Sequence, residues 1–70
     1  MTTARYMSTH AIKSELQSVL VELSPDKRWS KRATVRQLAD FALDRLDRDS
    51  SDTRVRRAIE LAEAVIPRLS

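Results

Sequence analysis

The chain contains no cysteine and no glycine, and it has only two prolines, one histidine and three aromatic residues, Tyr6, Trp29 and Phe41. Without cysteine there is no disulfide scaffold and no thiolate metal site, and nothing points to an oxidising compartment. Without glycine there is no phosphate-cradling loop, no dinucleotide-binding turn and no glycine-turned hairpin. A single histidine, His10, cannot build a transition-metal site on one chain. Ser14 and Ser18 lie near it in helical spacing, but no third group completes a nucleophile, base and orienting set. His10 is therefore expected to be an exposed residue in the first turn of a helix. No apolar run approaches the ~18 residues of a membrane span, and the N-terminal MTTARYMSTH lacks the apolar core of a signal peptide. These absences lead to the expectation of a soluble, cytoplasmic, non-enzymatic protein with no cofactor, no metal and no membrane partner.

What is present is a short, charged chain. It has 70 residues, 41% of them hydrophobic and 33% charged. One domain is the most that length can hold. A chain this short buries only about 60% of its unfolded surface, so it needs every large apolar side chain, and a homodimer would add buried area.

Helical periodicity accounts for the apolar residues. Ile12, Leu16, Val19, Leu20 and Leu23 form one stripe. Ser8 stands where an N-cap would, Met7 and Ile12 have the spacing of a hydrophobic staple, and Pro25 stops the helix. Thr34 and Gln37 fit a capping box ahead of a second stripe of Val35, Leu38, Ala39, Ala42 and Leu46. Phe41 and Leu43 widen that stripe, which predicts that this helix is the central one. Its start is set either at the box or one turn earlier, from Ser30. Val55, Ala58, Ile59, Ala62, Val65, Ile66 and Leu69 form a third stripe, with Ser51 as its expected N-cap and Pro67 as a break or kink. The fold class expected is all-α, a three-helix bundle with helices over about residues 9–23, 31–48 and 52–69.

Charge is distributed unevenly. Residues 27–36 hold five cations, Lys27, Arg28, Lys31, Arg32 and Arg36, and no acid, which exceeds the net +3 of the whole chain. Residues 37–53 hold five aspartates against two arginines. Arg54, Arg56 and Arg57 form a second, smaller basic cluster. Both clusters lie at predicted helix N-termini, where cations oppose the helix dipole by ~0.3–1 kcal/mol each. Stability alone would place acids there. An anionic partner reverses that sign, because free amides and basic side chains then converge on it. The plainer account is solvated charge offset by the acids nearby, with Glu60 and Glu63 pairing with Arg56 and Arg57 along the helix.

Two other constellations are weaker. The aspartates from Asp44 to Asp52 suggest a calcium loop, but a loop starting at Asp47 has Asp52 where glycine is needed and Ala58 where the bidentate glutamate is needed. Trp29 sits among Lys27, Arg28, Lys31 and Arg32. An aromatic between basic residues stacks on a base or a partner, or it folds onto the core. Tyr6 has the same two readings with less charge around it.

TVRQLADFAL, followed by TRVRRAIELAE, resembles the two halves of a bacterial trihelical helix-turn-helix DNA-binding domain. In that family a T-V-R-x-L-A type segment opens the second helix, and a T-V-R-R-x-I type segment opens the recognition helix. Thr34, Val35, Leu38 and Ala39 match the first, and Arg54, Val55, Arg56, Arg57 and Ile59 resemble the second. The likeness spans residues 34–64 plus the preceding helix. It implies a transcription regulator whose Arg54, Arg56 and Arg57 lie at the start of the recognition helix and enter the major groove. The charge pattern adds the expectation that Lys27, Arg28, Lys31, Arg32 and Arg36 hold phosphates of the same duplex. The connection LDRLDRDSSD is longer than the family's short glycine turn, and there is no wing.

Two further readings accompany it. In one, the chain is a helical adaptor, inhibitor or assembly factor that docks an acidic protein surface through residues 27–36 and Trp29. In the other, Ser30 to Leu46 resembles the second helix of a ribbon-helix-helix dimer, with residues 2–7 as the pairing strand.

Overall fold

The computed structural model describes residues 3–69. Three α-helices, α1 (Thr9–Leu23), α2 (Val35–Arg45) and α3 (Thr53–Val65), are accompanied by short 3-10 turns at Ala4–Tyr6 and Ile66–Leu69. There is no strand among the described residues, and each helix packs against the other two. The architecture is an all-α three-helix bundle.

Local chemistry sets the helix ends. Ser8 caps α1, its hydroxyl accepting the Ala11 N–H at 3.1 Å, and Met7 packs half-buried against the core beside it. Helix α1 ends at Leu23, before Pro25. A turn follows in which the Lys27 N–H donates to the Ser24 carbonyl at 3.0 Å, with Pro25 at the position whose fixed φ suits it. Both halves of the capping box on α2 form: Thr34 N–H to Gln37 Oε1 at 2.8 Å and Gln37 N–H to Thr34 Oγ1 at 3.2 Å.

Helix α2 is shorter at both ends than the expected 31–48. Before it, the Ser30 hydroxyl accepts the Arg32 N–H at 3.1 Å and the Ser30 carbonyl accepts the Ala33 N–H at 3.0 Å. That turn gives the backbone an alternative to another helical turn. After it, Leu46 is extended, and the Asp47 carboxylate accepts the Asp49 N–H at 2.9 Å, a local aspartate turn that competes with the helix in the same way. The N-cap of α3 is Asp52 rather than Ser51, with the Arg54 N–H donating to Asp52 Oδ1 at 2.9 Å. The third helix also stops short of 69. Its α-helical part ends at Val65, and the chain continues as a 3-10 turn through Pro67, which has no N–H to extend the ladder.

The fully buried cluster combines Ile12, Leu16 and Leu20 of α1, Leu38, Ala39 and Ala42 of α2, and Ala58, Leu61, Ala62 and Val65 of α3. Each large member stabilises the fold by ~1.5–3 kcal/mol through burial. The central helix is α3, not α2, since α3 packs extensively against both others while α1 and α2 meet less. This is why Leu61, off the expected stripe, is fully buried. A helix between two neighbours needs two apolar faces. The Cα radius of gyration is 11.1 Å, close to the roughly 11 Å of a well-packed domain of this length. At the N-terminal end, residues 4–6 form a 3-10 turn with Ala4 buried. That conformation is incompatible with the pairing strand expected over residues 2–7, of which residue 2 lies outside the described residues. No described helix is long and apolar enough to cross a membrane.

Candidate functional site

The two basic clusters have different surroundings. The larger lies on the irregular segment between α1 and α2. Lys27, Arg28, Lys31, Arg32 and Arg36 are all exposed, and among the described residues none forms an ion pair with a carboxylate. Two of the five have other partners. Lys27 Nζ sits 4.9 Å from the Trp29 ring centroid and 5.6 Å from that of Phe41. Arg36 Nη2 donates to the Leu69 carbonyl at 3.3 Å.

Trp29 anchors this segment to the bundle. Its ring meets Phe41 of α2 edge-on, with centroids 5.1 Å apart and planes at 84°. This is a favoured aromatic geometry. It is half-buried and packed against the core, as the core-folded reading of this residue has it. Its indole Nε1 is buried with no hydrogen-bond partner among the described residues. Ala33, 6% exposed, is the segment's second inward contact. The basic side chains are thus displayed by a loop pinned at Trp29 and Ala33, and they end at the N-terminus of α2. There the free amides of the first turn carry partial positive charge of their own.

The smaller cluster is largely neutralised. Arg54 Nη2 lies 3.1 Å from Asp52 Oδ2, and its Nε donates to Asp52 Oδ1 at 3.3 Å. The Arg54 side-chain and backbone hydrogen bonds hold the Asp52 carboxyl below its ordinary pKa, and Asp52 holds the Arg54 guanidinium above its own. Arg57 points into the bundle, with its side chain only 13% exposed. It reaches Glu15 of α1, Glu60 one turn on, and the Met7 sulfur. The pairing of Arg57 with Glu60 is the within-helix pairing that the plainer account expects. Glu63 is taken by Arg48, from the connection before α3, at 2.8 Å. Arg56 is exposed and lines a shallow groove with Arg48, Ile59, Glu60 and Glu63.

The remaining candidates lie apart from these clusters. His10 is exposed in the first turn of α1, and Tyr6 is exposed with the Arg5 guanidinium 5.6 Å from its ring centroid. Arg68, which the sequence does not single out, fastens the N-terminal turn by donating to the carbonyls of Met7 at 2.6 Å and Arg5 at 2.9 Å. Its partners lie more than 60 residues away, so no local pattern marks it. Comparison with family models, curated proteins and solved structures finds no match to this chain.

Proposed function

We propose that the protein is a small, non-enzymatic DNA-binding regulator of the helix-turn-helix type, and that it grips duplex phosphates with the Lys27–Arg36 segment. The observation carrying this reading is the contrast between the clusters. Among the described residues, Arg54 and Arg57 of the smaller cluster have carboxylate partners and only Arg56 has none, while all five cations of residues 27–36 are without one. Unneutralised charge next to the N-terminus of α2 favours a polyanion. Arg56, exposed on α3, is the residue of the second cluster best placed to approach bases or the adjacent backbone. Contacts dominated by phosphates set register but carry little sequence information. Two copies would place two such segments along one duplex. A mobility shift on duplex DNA at low salt tests the proposal, and affinity falling linearly in log units with log salt is the expected signature. No shift under those conditions overturns it.

A second reading has its own support. The Trp29–Phe41 pair with Lys27 above it is the kind of aromatic and cationic anchor that protein interfaces use. The mixed charge of Arg56, Glu60 and Glu63 also suits a protein surface better than a phosphate backbone. On this reading the same segment docks an acidic protein in the cytoplasm. Capture from lysate with and without nuclease separates the two, because nuclease abolishes recovery only if nucleic acid is the partner.

A further inference from the structure

We propose that Ser30 is a phosphoryl-acceptor site that switches the basic segment off. The sequence around it is Lys27-Arg28-Trp29-Ser30-Lys31-Arg32, so a serine hydroxyl stands inside the strongest positive charge on the chain. Ser30 is exposed and lies outside any helix. Its hydroxyl makes one hydrogen bond, accepting the Arg32 N–H at 3.1 Å. No carboxylate forms an ion pair with the flanking cations among the described residues. A transferase whose cleft presents acids to the residues before the acceptor would meet Lys27 and Arg28 there.

The other described serines, and Thr34, lack this combination. Ser8 and Thr34 cap α1 and α2, held by the N–H groups of Ala11 and Gln37. Ser14 and Ser18 lie within α1, while Ser24 and Ser50 are half-buried. Ser51 is exposed, but it sits among Asp47, Asp49 and Asp52. Thr34 also follows two cations, Lys31 and Arg32, yet its hydroxyl is locked in the capping box at the start of a helix.

The reaction is transfer from a nucleoside triphosphate. The bond between Ser30 Oγ and the γ-phosphorus forms, and the bond from that phosphorus to the β-bridging oxygen breaks. Nucleoside diphosphate leaves, and the hydroxyl proton passes to the transferase's base. The product carries about −1.5 to −2 charges at neutral pH and three acceptor oxygens. Lys27, Arg28, Lys31 and Arg32 lie within three residues and would turn toward it. Those side chains are then unavailable to a polyanion.

The regulatory half of this inference rests on the DNA reading, whereas the acceptor site does not. The test incubates the full chain with magnesium ATP and the catalytic subunit of cyclic-AMP-dependent protein kinase, a transferase that favours basic residues before its acceptor. The product is mapped by mass spectrometry. The modified and unmodified chains are then titrated with duplex DNA and eluted from immobilised heparin. We expect one phosphate on Ser30, none on Ser30→Ala, at least a tenfold weaker duplex complex and elution from heparin at lower salt. Phosphate on Thr34 instead, or none at all, overturns the acceptor site. Phosphate on Ser30 with duplex affinity and heparin elution both unchanged overturns the switch. If the unmodified chain does not bind duplex, the DNA reading fails alone, and mapping and heparin elution still decide this one.

Discussion

Arg57 and Glu15 join α3 to α1 across 42 residues of chain, with Arg57 Nη2 and Nε at 2.7 and 2.8 Å from the same carboxylate oxygen. The arginine is largely buried and the glutamate partly exposed, so the pair is better shielded from solvent than an ordinary surface ion pair. A residue whose position in the sequence suggests groove recognition is instead a tie between two helices.

Replacing Arg57 with Ala is therefore expected to destabilise the fold by ~2 kcal/mol, the scale of charge-assisted hydrogen bonds lost from a shielded site. Glu15→Gln should lose less, because Glu60 still faces the guanidinium. Urea unfolding followed by circular dichroism measures both. If Arg57→Ala is as stable as the parent, the tie is not structural.

Trp29 gives a sharper contrast. Trp29→Phe keeps an aromatic ring against Phe41 and removes the partnerless Nε1–H, whose burial carries a penalty of ~1–3 kcal/mol. The expected result is stability equal to or above the parent. Trp29→Ala loses the ring and should fall by ~2 kcal/mol. Because Trp29 is the only tryptophan, its fluorescence reports this contact alone, and it should shift to the red as the parent unfolds.

The capping box on α2 can be tested in the same assay. Thr34→Ala should lose ~1 kcal/mol, and Gln37→Ala a smaller amount, since each change removes one of two reciprocal bonds. A neutral result at both positions would mean that tertiary packing alone starts α2.

Asp52 links stability to pH. Its carboxyl is held below its ordinary pKa by the side-chain hydrogen bond from Arg54 and then by the Arg54 N–H. A group depressed in the folded state contributes stability that is fully present above its unfolded value and is lost as pH falls through its folded one. The contribution of Asp52 is thus constant at neutral pH and disappears in the acid range below the usual carboxylate pKa. Asp52→Asn should flatten that acid limb of a stability–pH profile and leave its neutral part nearly level. A parent and a variant with identical acid limbs would remove Asp52 from the account.

Much of the fold is legible in the sequence because its signals are local. Ser8, Thr34, Gln37 and Pro25 act within four residues of where they stand, and α1 runs from Thr9 to Leu23 as its stripe predicts. The helix ends that differ from the expected ones also have local causes. The turns at Ser30 and Asp47 compete with α2 at its two ends, and Asp52 wins the cap from Ser51 because its carboxylate also engages the Arg54 side chain. Position within the bundle is not local. That α3 lies between its neighbours and buries Leu61, that Arg57 finds Glu15, and that Arg68 holds the N-terminal turn all depend on how the helices assemble. The candidate site divides the same way. The charge of residues 27–36 can be read directly, whereas the neutralisation of Arg54 and Arg57 is visible only in part. Glu60 stands three residues after Arg57, but the partner from α1 carries no sequence mark.

Salt titration of duplex affinity counts the phosphates that the proposed polyanion-binding surface of residues 27–36 contacts. Four or five phosphate contacts give a slope of log affinity against log salt of about −4, at roughly −0.9 per contact. Each substitution of Arg28, Lys31 or Arg32 by Gln should make that slope shallower by about 0.9, while the same change at Arg54 should leave it nearly unaltered. A slope that responds to Arg54 and Arg56 but not to Arg28, Lys31 and Arg32 would contradict the account.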